Sequence, residues 1–578
     1  IINGSVFTTA SGSDSSDGFS SSSDGAGNSQ SSSFSTNAST GGNASIDNAA
    51  GGLIGLEATS PVSVSVFGNT SGSVSNAGRI NGNVSAAASG SMGENANNNN
   101  FSSSTDADTG VTTSVNESVR ANASTNLGGD ASFANAEGGL VTGQVDVNGA
   151  GSADIVNEGA VIGRTFANSR ATDSAFLETI VTTTVNVPGA DGGTTSTREL
   201  QRDQSNVSSG GDVTGIYAGT NGAVQFAPFG GASDGSVFQS ADGNSSAIVS
   251  GSIFGSFNGN ATGSEFASSF SDSRTSAFDA DGDQRSFDRE YLYEESNRQA
   301  GSDSSLIVDG GRITGSASVY ATGSASIQIA ADGAVDGNLN ATAQGFGGYD
   351  YSETYDLEQA FDEDGAFVSS DLVRTFSQQD IVSDGDVTVA ITSGVVGGSI
   401  FTNGAGGTNT VTLGADSSVG GVVSQNSRYS ALAYDRTQTS TSTPTGSTFT
   451  EDYAETRTAS GGDVSATVAG TIGIGDVDPL GYGDLADAAG NSLTLSTDAG
   501  DAAATVSGQV RNGISVVASG ADTTFAFQEE REDGLRTSYS EQRTSARTGG
   551  TATLTVNAAN ADIPANFGNI TVFGLEGS

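Results

Sequence analysis

One short pattern, Gly-x-apolar-x-Gly-x-apolar, returns along the whole chain and limits what it can fold into. It stands at Gly78, Ile80, Gly82 and Val84, and at Gly159, Val161 and Gly163 with Phe166 displaced by one residue. Gly251, Ile253, Gly255 and Phe257 form another copy, as do Gly333, Val335, Gly337 and Leu339. Weaker forms follow at Val419 with Gly421 and at Gly508 with Val510. The interval stays near ~85 residues, and self-similarity at a fixed period marks a repeat architecture.

A second marker alternates with the first. Turn-forming groups occur at Asp24-Gly25, Asp108-Thr109-Gly110, Asp191-Gly192, Asp281-Gly282, Asp364-Gly365, Pro444-Thr445-Gly446 and Asp533-Gly534. Gly tolerates the positive φ of tight turns, so Asp-Gly between strand-like runs signals a hairpin. These groups divide the chain into about seven repeats of ~85 residues.

Each repeat has two parts. The first carries short period-2 segments such as PVSVSVFG, SLIVDGGRITGSASVYATG and DVTVAITSGVVGGSIF. Alternation of this kind puts one face in and one face out, while Gly and Asn between the segments supply corners. No helical period is present. The expected fold is all-β, a β-solenoid occupying 1–578 as one elongated unit. Two rungs per repeat, or about fourteen, would make a rod on the order of 65–70 Å long.

The second part is an inserted arm, expected near 10–36, 95–124, 168–206, 264–300, 346–380, 427–459 and 523–548. The third to seventh arms read as long hairpins rich in Tyr, Phe, Arg and Glu, as in SRTSAFDADGDQRSFDREYLYEES. Arg285, Arg289 and Arg298 share that hairpin with Asp288, Glu290, Glu294 and Glu295. Cross-strand pairs between such residues contribute roughly 0.2–1 kcal/mol each. An isolated hairpin is marginal in water, so the arms should pack on something. Two rungs per repeat place neighbouring arms about 10 Å apart, the distance between stacked sheets. The arms are therefore expected to stack as a fringe or to interlock with another copy.

Composition removes several classes of function. With 66 acidic residues against 20 basic ones, the net charge of −46 repels nucleic acid and anionic membranes. Val, Ile, Leu and Phe make up only about a fifth of the chain, near the threshold for disorder. A solenoid needs only a narrow apolar column, which resolves that objection. The absence of Cys points to a secreted or surface protein, and no apolar stretch is long enough to span a bilayer. Without His, Cys or Lys, the usual zinc ligands and the usual bases of a nucleophilic triad are missing, so no enzyme is expected.

Two chemistries remain open to the acidic and aromatic residues. Asp279, Asp281 and Asp283 form Asp-x-Asp-x-Asp, a spacing that could converge oxygens on calcium, with Glu290 in the twelfth slot of an EF-hand-like loop. Gln284 occupies the slot where that loop needs Gly, and a plain hairpin turn explains the same residues. Asp362, Glu363 and Asp364 form a second acidic tip, and Asp476 with Asp478 a third. Tyr291 with Tyr293, and Tyr349 with Tyr351, would each share one strand face, either as a binding platform or as cross-strand packing. Arg285, Arg289, Arg531 and Arg536 join these tyrosines as candidate interaction residues of the arms.

The phrases VSNAGRINGNVS and IVNEGAVIG resemble the Asn-x-Gly-x-apolar-x-Gly rungs of autotransporter passenger domains and related bacterial repeat surface proteins. The resemblance implies a right-handed parallel β-helix exported to the surface of a Gram-negative bacterium. Regular arms depart from that family's pattern. The expected function is an extracellular structural protein that self-assembles into a filament, fringe or surface layer. The alternative is a monomeric adhesin or a rod that binds surface polysaccharide; a weaker one is a polysaccharide-cleaving β-helix using paired carboxylates.

Overall fold

The computed structural model describes residues 1–24, 28–55, 62–189, 192–222, 234–344, 346–383, 385–404, 406–473, 491–510, 512–557 and 570–574. The described residues are strands, turns and bends, and they contain no helix.

The Gly-x-apolar-x-Gly copies are the corners of a coil. Each turn of the coil supplies a strand of about five residues, a two-residue strand and a second longer strand, and each of these stacks parallel on its counterpart in the next turn. One parallel wall orders 14 strands, from Val6–Ala10 and Val62–Gly68 to Ile514 and Ile570 at its far end. At ~4.8 Å per strand this wall is about 60–65 Å long. A second wall contains Asn43–Asn48, Ser71–Asn76, Asp130–Asn135, Ala153–Asn157 and their successors to Ala552–Val556. The two-residue strands, such as Arg79–Ile80, Leu140–Val141 and Ala160–Val161, close the turn between the walls. The chain is thus an all-β solenoid of parallel sheets.

Alternation fills the column. Val145 and Val147 in Val145–Gly149, and Ile155 with Ala153 in Ala153–Asn157, point inward and are buried, and the same positions recur turn after turn. Burying each Val or Ile contributes roughly 1.5–3 kcal/mol. The middle residue of the motif is the inward side chain of the two-residue strand: Ile80, Val161, Ile253, Val335, Val419 and Val510 are all buried. Glycine is required at the first corner because the coil stacks there. A Cβ on Gly159 would lie 2.4 Å from the carbonyl oxygen of Gly139 and 2.7 Å from Nδ2 of Asn135. Gly139-x-Val141-x-Gly143 and Gly311-x-Ile313-x-Gly315 form the same corner in the intervening turns.

Asparagine has an equally local cause. The amides of Asn48 and Asn76 meet at 2.7 Å, those of Asn76 and Asn135 at 2.8 Å, and those of Asn135 and Asn157 at 2.8 Å. This buried ladder satisfies polar groups that would otherwise carry a desolvation cost. It leaves its column where Tyr217 takes the next register position, and Asn157 then reaches Asn221 on the two-residue strand.

Candidate functional site

Among the described residues the arms are seven hairpins. They are Gly12–Ser23 with Ser29–Thr40, Gly90–Thr105 with Thr112–Gly128, Thr172–Val187 with Gly193–Ser208, Gly263–Asp279 with Gln284–Ala300, Phe346–Phe361 with Phe367–Val382, Tyr429–Thr443 with Gly446–Ser460, and Gly520–Glu532 with Leu535–Thr548. The Ser- and Asn-rich first two arms form hairpins like the others. Of the turn markers, Gly25 and Asp191 lie outside the described residues.

Each arm leaves the first wall at every second strand. Gly82–Ala88 runs on into Gly90–Thr105, and Phe257–Ala261 into Gly263–Asp279, while Val62–Gly68 and Val145–Gly149 pass around the corner without an arm. Two solenoid turns advance about 9–10 Å, which equals two inter-strand spacings. Successive hairpins therefore meet edge to edge. All of them hydrogen-bond into one antiparallel sheet of 14 strands. Face-to-face stacking, one arrangement expected from the 10 Å interval, is not how neighbouring arms of this chain meet. The same interval matches a pair of hydrogen-bonded strands, and unpaired N–H and C=O groups on each hairpin edge select that pairing.

Because residues directly opposite in register share a face, the pairing sorts every side chain of this sheet. One register row reads Arg120, Glu178, Arg202, Phe270, Tyr293, Glu353, Phe376, Arg436, Tyr453, Phe527 and Glu541. The neighbouring row on the opposite face reads Ala96, Ala121, Leu177, Asp203, Ser269, Glu294, Ser352, Ser377, Asp435, Ala454 and Ala526. One face is built of arginine, tyrosine, phenylalanine and glutamate; the other is built of small residues and carboxylates. Among the arginines that the register places within the arm strands, Arg298 alone belongs to the small-residue face.

On the first face the charges are satisfied locally. Arg202 meets Glu178 at 2.5 Å, Arg374 meets Glu353 at 2.5 Å and Arg436 meets Glu451 at 2.6 Å. Their guanidinium groups also lie over rings, with Arg374 4.2 Å from the centre of Phe376 and Arg536 4.6 Å from that of Tyr539. Tyr351 and Tyr453 donate to Glu353 and Glu455 two residues on, at 3.2 and 2.6 Å, and Tyr293 donates to Glu295 in the same way. Burial, reinforced by these carboxylates, pushes the Tyr351 and Tyr453 phenols up to about 12. Tyr434, Tyr453 and Phe527 stack in series, with centroids 6.2 and 5.3 Å apart.

The candidate interaction residues other than Arg285 lie on this face, in two separate groups. Tyr291, Tyr293, Tyr349 and Tyr351 occupy adjoining register positions, with Tyr293 and Tyr351 rings 6.0 Å apart and Tyr349 donating to the same Glu295 as Tyr293. Arg289 pairs with Asp272 between the rings of Tyr291 and Tyr355. Arg531 and Arg536 converge on Glu529. The Tyr-x-Glu spacing at Tyr293, Tyr351, Tyr453 and Tyr539, extended to Tyr-x-Glu-x-Arg at Tyr453 and Tyr539, is the sequence signal that announces the face.

The acidic turn is organised differently. Oδ1 of Asp279 accepts the backbone N–H groups of Asp281 and Asp283 at 3.0 and 2.9 Å, and Oδ2 takes Arg285. The N–H groups above all, with Arg285, hold the Asp279 carboxyl below its ordinary range. Asp362 caps the next arm's turn in the same way, accepting from Asp364 and Ala366. Among the described residues no group of three or more acidic side chains is placed to hold a metal ion. Asp476 and Asp478 lie outside them.

The small-residue face is grooved. A groove of about 1130 Å³ crosses the strands from Phe34 to Asp435, between the row containing Ala96, Ala121 and Asp203 and the row containing Ala123, Ala175 and Ala267. No helix among the described residues is long and apolar enough to cross a membrane. No family model matches this chain, and no curated protein or solved structure matches it either.

Proposed function

We propose that this chain is a structural component of a bacterial cell surface, a right-handed β-solenoid whose arm sheet is the surface through which copies assemble into a layer, fringe or filament. One observation carries the reading. Seven pairs of strands build a single-layer sheet that encloses no core of its own. A single layer gains little from burial, so its two broad faces are the reason for having it. Edge pairing between neighbouring arms leaves only two outer edges, Gly12–Ser23 and Leu535–Thr548, so assembly through the arms is chiefly a matter of faces. Calcium enters this proposal as a counter-ion of the arm sheet's carboxylates.

The row of tyrosines and phenylalanines supports a second reading, a rod that binds a surface polysaccharide on its aromatic face. Sedimentation velocity over a range of concentrations, with calcium and then with a chelator, separates the two. Concentration-dependent assembly into ordered sheets or filaments under the electron microscope is the expected result. Monomers under every condition that are retained on immobilised polysaccharide would replace it with the second reading.

A further inference from the structure

We propose that the two faces of the arm sheet recognise each other between copies: the carboxylate face of one molecule seats the arginine–tyrosine face of the next. The inference rests on the assembly reading above and says which surfaces make the contact.

Charge is the first argument. The chain carries −46 overall, so two copies repel over most orientations. The register of the arm sheet nevertheless gathers the arginines on one face, beside the carboxylates they pair with, and leaves the other face rich in carboxylates. Arg120, Arg202, Arg436, Arg457, Arg536 and Arg543 stand on one face, whereas Asp203, Glu290, Glu294, Asp356, Asp435 and Asp452 stand on the other. Two carboxylate faces would oppose like charge. Two arginine faces would oppose guanidinium groups whose carboxylates are already engaged. Unlike faces alone combine attraction with new partners for the outer edges of those guanidinium groups.

Shape is the second. The aromatic row Phe270, Tyr293, Phe376, Tyr453 and Phe527 forms a ridge across the strands of one face. The other face offers a groove running in the same direction, with alanines along its sides. A ridge and a groove that both cross the strands can interdigitate at the ~10 Å separation of packed sheets.

Area is the third. Fourteen strands, each 12–17 residues long, give each face an extent on the order of 3,000–3,500 Å² at ~4.8 Å per strand and ~3.4 Å per residue. A stable interface needs about 800 Å² per partner, so partial overlap suffices. Because the contact joins unlike faces, each added copy leaves one face of either kind free. The contact is heterologous, so copies stack into an open assembly where the rotation per step does not close a ring.

Two variants test it. One replaces Arg457→Glu, Arg536→Glu and Arg543→Glu on the tyrosine face, positions whose side chains are 51%, 53% and 73% exposed. The other replaces Glu294→Lys, Asp356→Lys and Asp452→Lys on the carboxylate face, all exposed. At a concentration where the wild-type chain assembles, each variant alone should sediment as a monomer, and mixing them one to one should restore association. Wild-type assembly should also weaken in 1 M salt, where charges are screened within ~3 Å. Assembly of the carboxylate-face variant at wild-type level would overturn the inference, since like faces would then suffice. Wild-type assembly with neither variant impaired would also overturn it while leaving the assembly reading in place. A wild-type chain that stays monomeric removes both. If a triple variant loses its far-ultraviolet β signal, Arg543→Glu and Asp452→Lys as single substitutions carry the same mixing test.

Discussion

Arg289 donates through Nε to Oδ1 of Asp272 at 2.7 Å, and that carboxylate is almost wholly buried in the middle of a sheet that has no core. Arg274 takes the other oxygen at 2.6 Å. Desolvation pushes the Asp272 carboxyl up, but the hydrogen bonds and charges of the two arginines outweigh it and hold it below its ordinary value. Replacing Asp272→Ala strands two guanidinium groups and should cost about 2 kcal/mol, read as faster amide exchange in Gly263–Ala300 than in the solenoid wall.

Acid should loosen the arms before the solenoid. Asp272, Asp279, Glu455, Glu529 and Glu541 all have carboxyls lowered by hydrogen bonds and arginine neighbours within the arms. A lowered folded pKa gives stability that is present above the ordinary carboxylate value and lost as pH falls through the lowered one. Protease cuts in the arms should therefore multiply from about pH 4 downward while the Val- and Ile-filled coil stays resistant. Equal loss of coil and arms would contradict this.

Alkali acts on the same face with the opposite sign. The Tyr351 and Tyr453 phenols are raised to about 12, so the folded arms favour the neutral form. Their contribution holds below the free phenol value of ~10 and is lost as pH rises through about 12. Absorbance at 295 nm should show a fraction of the 12 tyrosines ionising late, and Glu455→Gln should bring Tyr453 earlier.

At the corner, Gly159→Ala should lower stability by about 1–3 kcal/mol, because the new methyl meets the Gly139 carbonyl rather than open space. Urea unfolding measures it. Gly282→Ala, at a tip with nothing near the missing Cβ, tests a different cause: its φ of +92° penalises any side chain locally, leaving the coil untouched.

Much of this architecture was legible in the chain. Corner glycines announce themselves because stacking leaves no room for a Cβ, and buried Ile80 or Val161 must sit between them. The turn groups at Asp281-Gly282 and Asp533-Gly534 likewise place hairpin tips. What stayed hidden is relational. Gly139-x-Val141-x-Gly143-x-Val145 carries the full pattern, but it stands off the ~85-residue interval, so its place as a corner emerges only when the neighbouring turn is seen to use the same one. The pairing of arms was ambiguous because one interval near 10 Å fits both stacked sheets and paired strands. Asp279 looked like a cation ligand by spacing alone. Its Oδ1 accepts the N–H groups of Asp281 and Asp283 and its Oδ2 takes Arg285, contacts that only the folded turn reveals. Which face Tyr293 and Tyr351 share follows from register, which no single strand encodes.

Removing the fourth arm whole, by joining Ala261 to Ser304 through a short corner like that at Asn69 and Thr70, should split the arm sheet into two parts while the coil persists. Limited proteolysis would then release the arms from the new edges at Gly193–Ser208 and Phe346–Phe361 first.

Two turns of coil match two strands of arm, and that equality works as a ratchet on the length of the molecule. A single extra turn would leave a one-strand gap in the arm sheet, and a single missing turn would force two hairpins into one place. Growth or loss by recombination can therefore pass unnoticed only in whole units of two turns plus one hairpin. Natural variants of such a chain should come in discrete lengths, one step apart for each unit gained or lost.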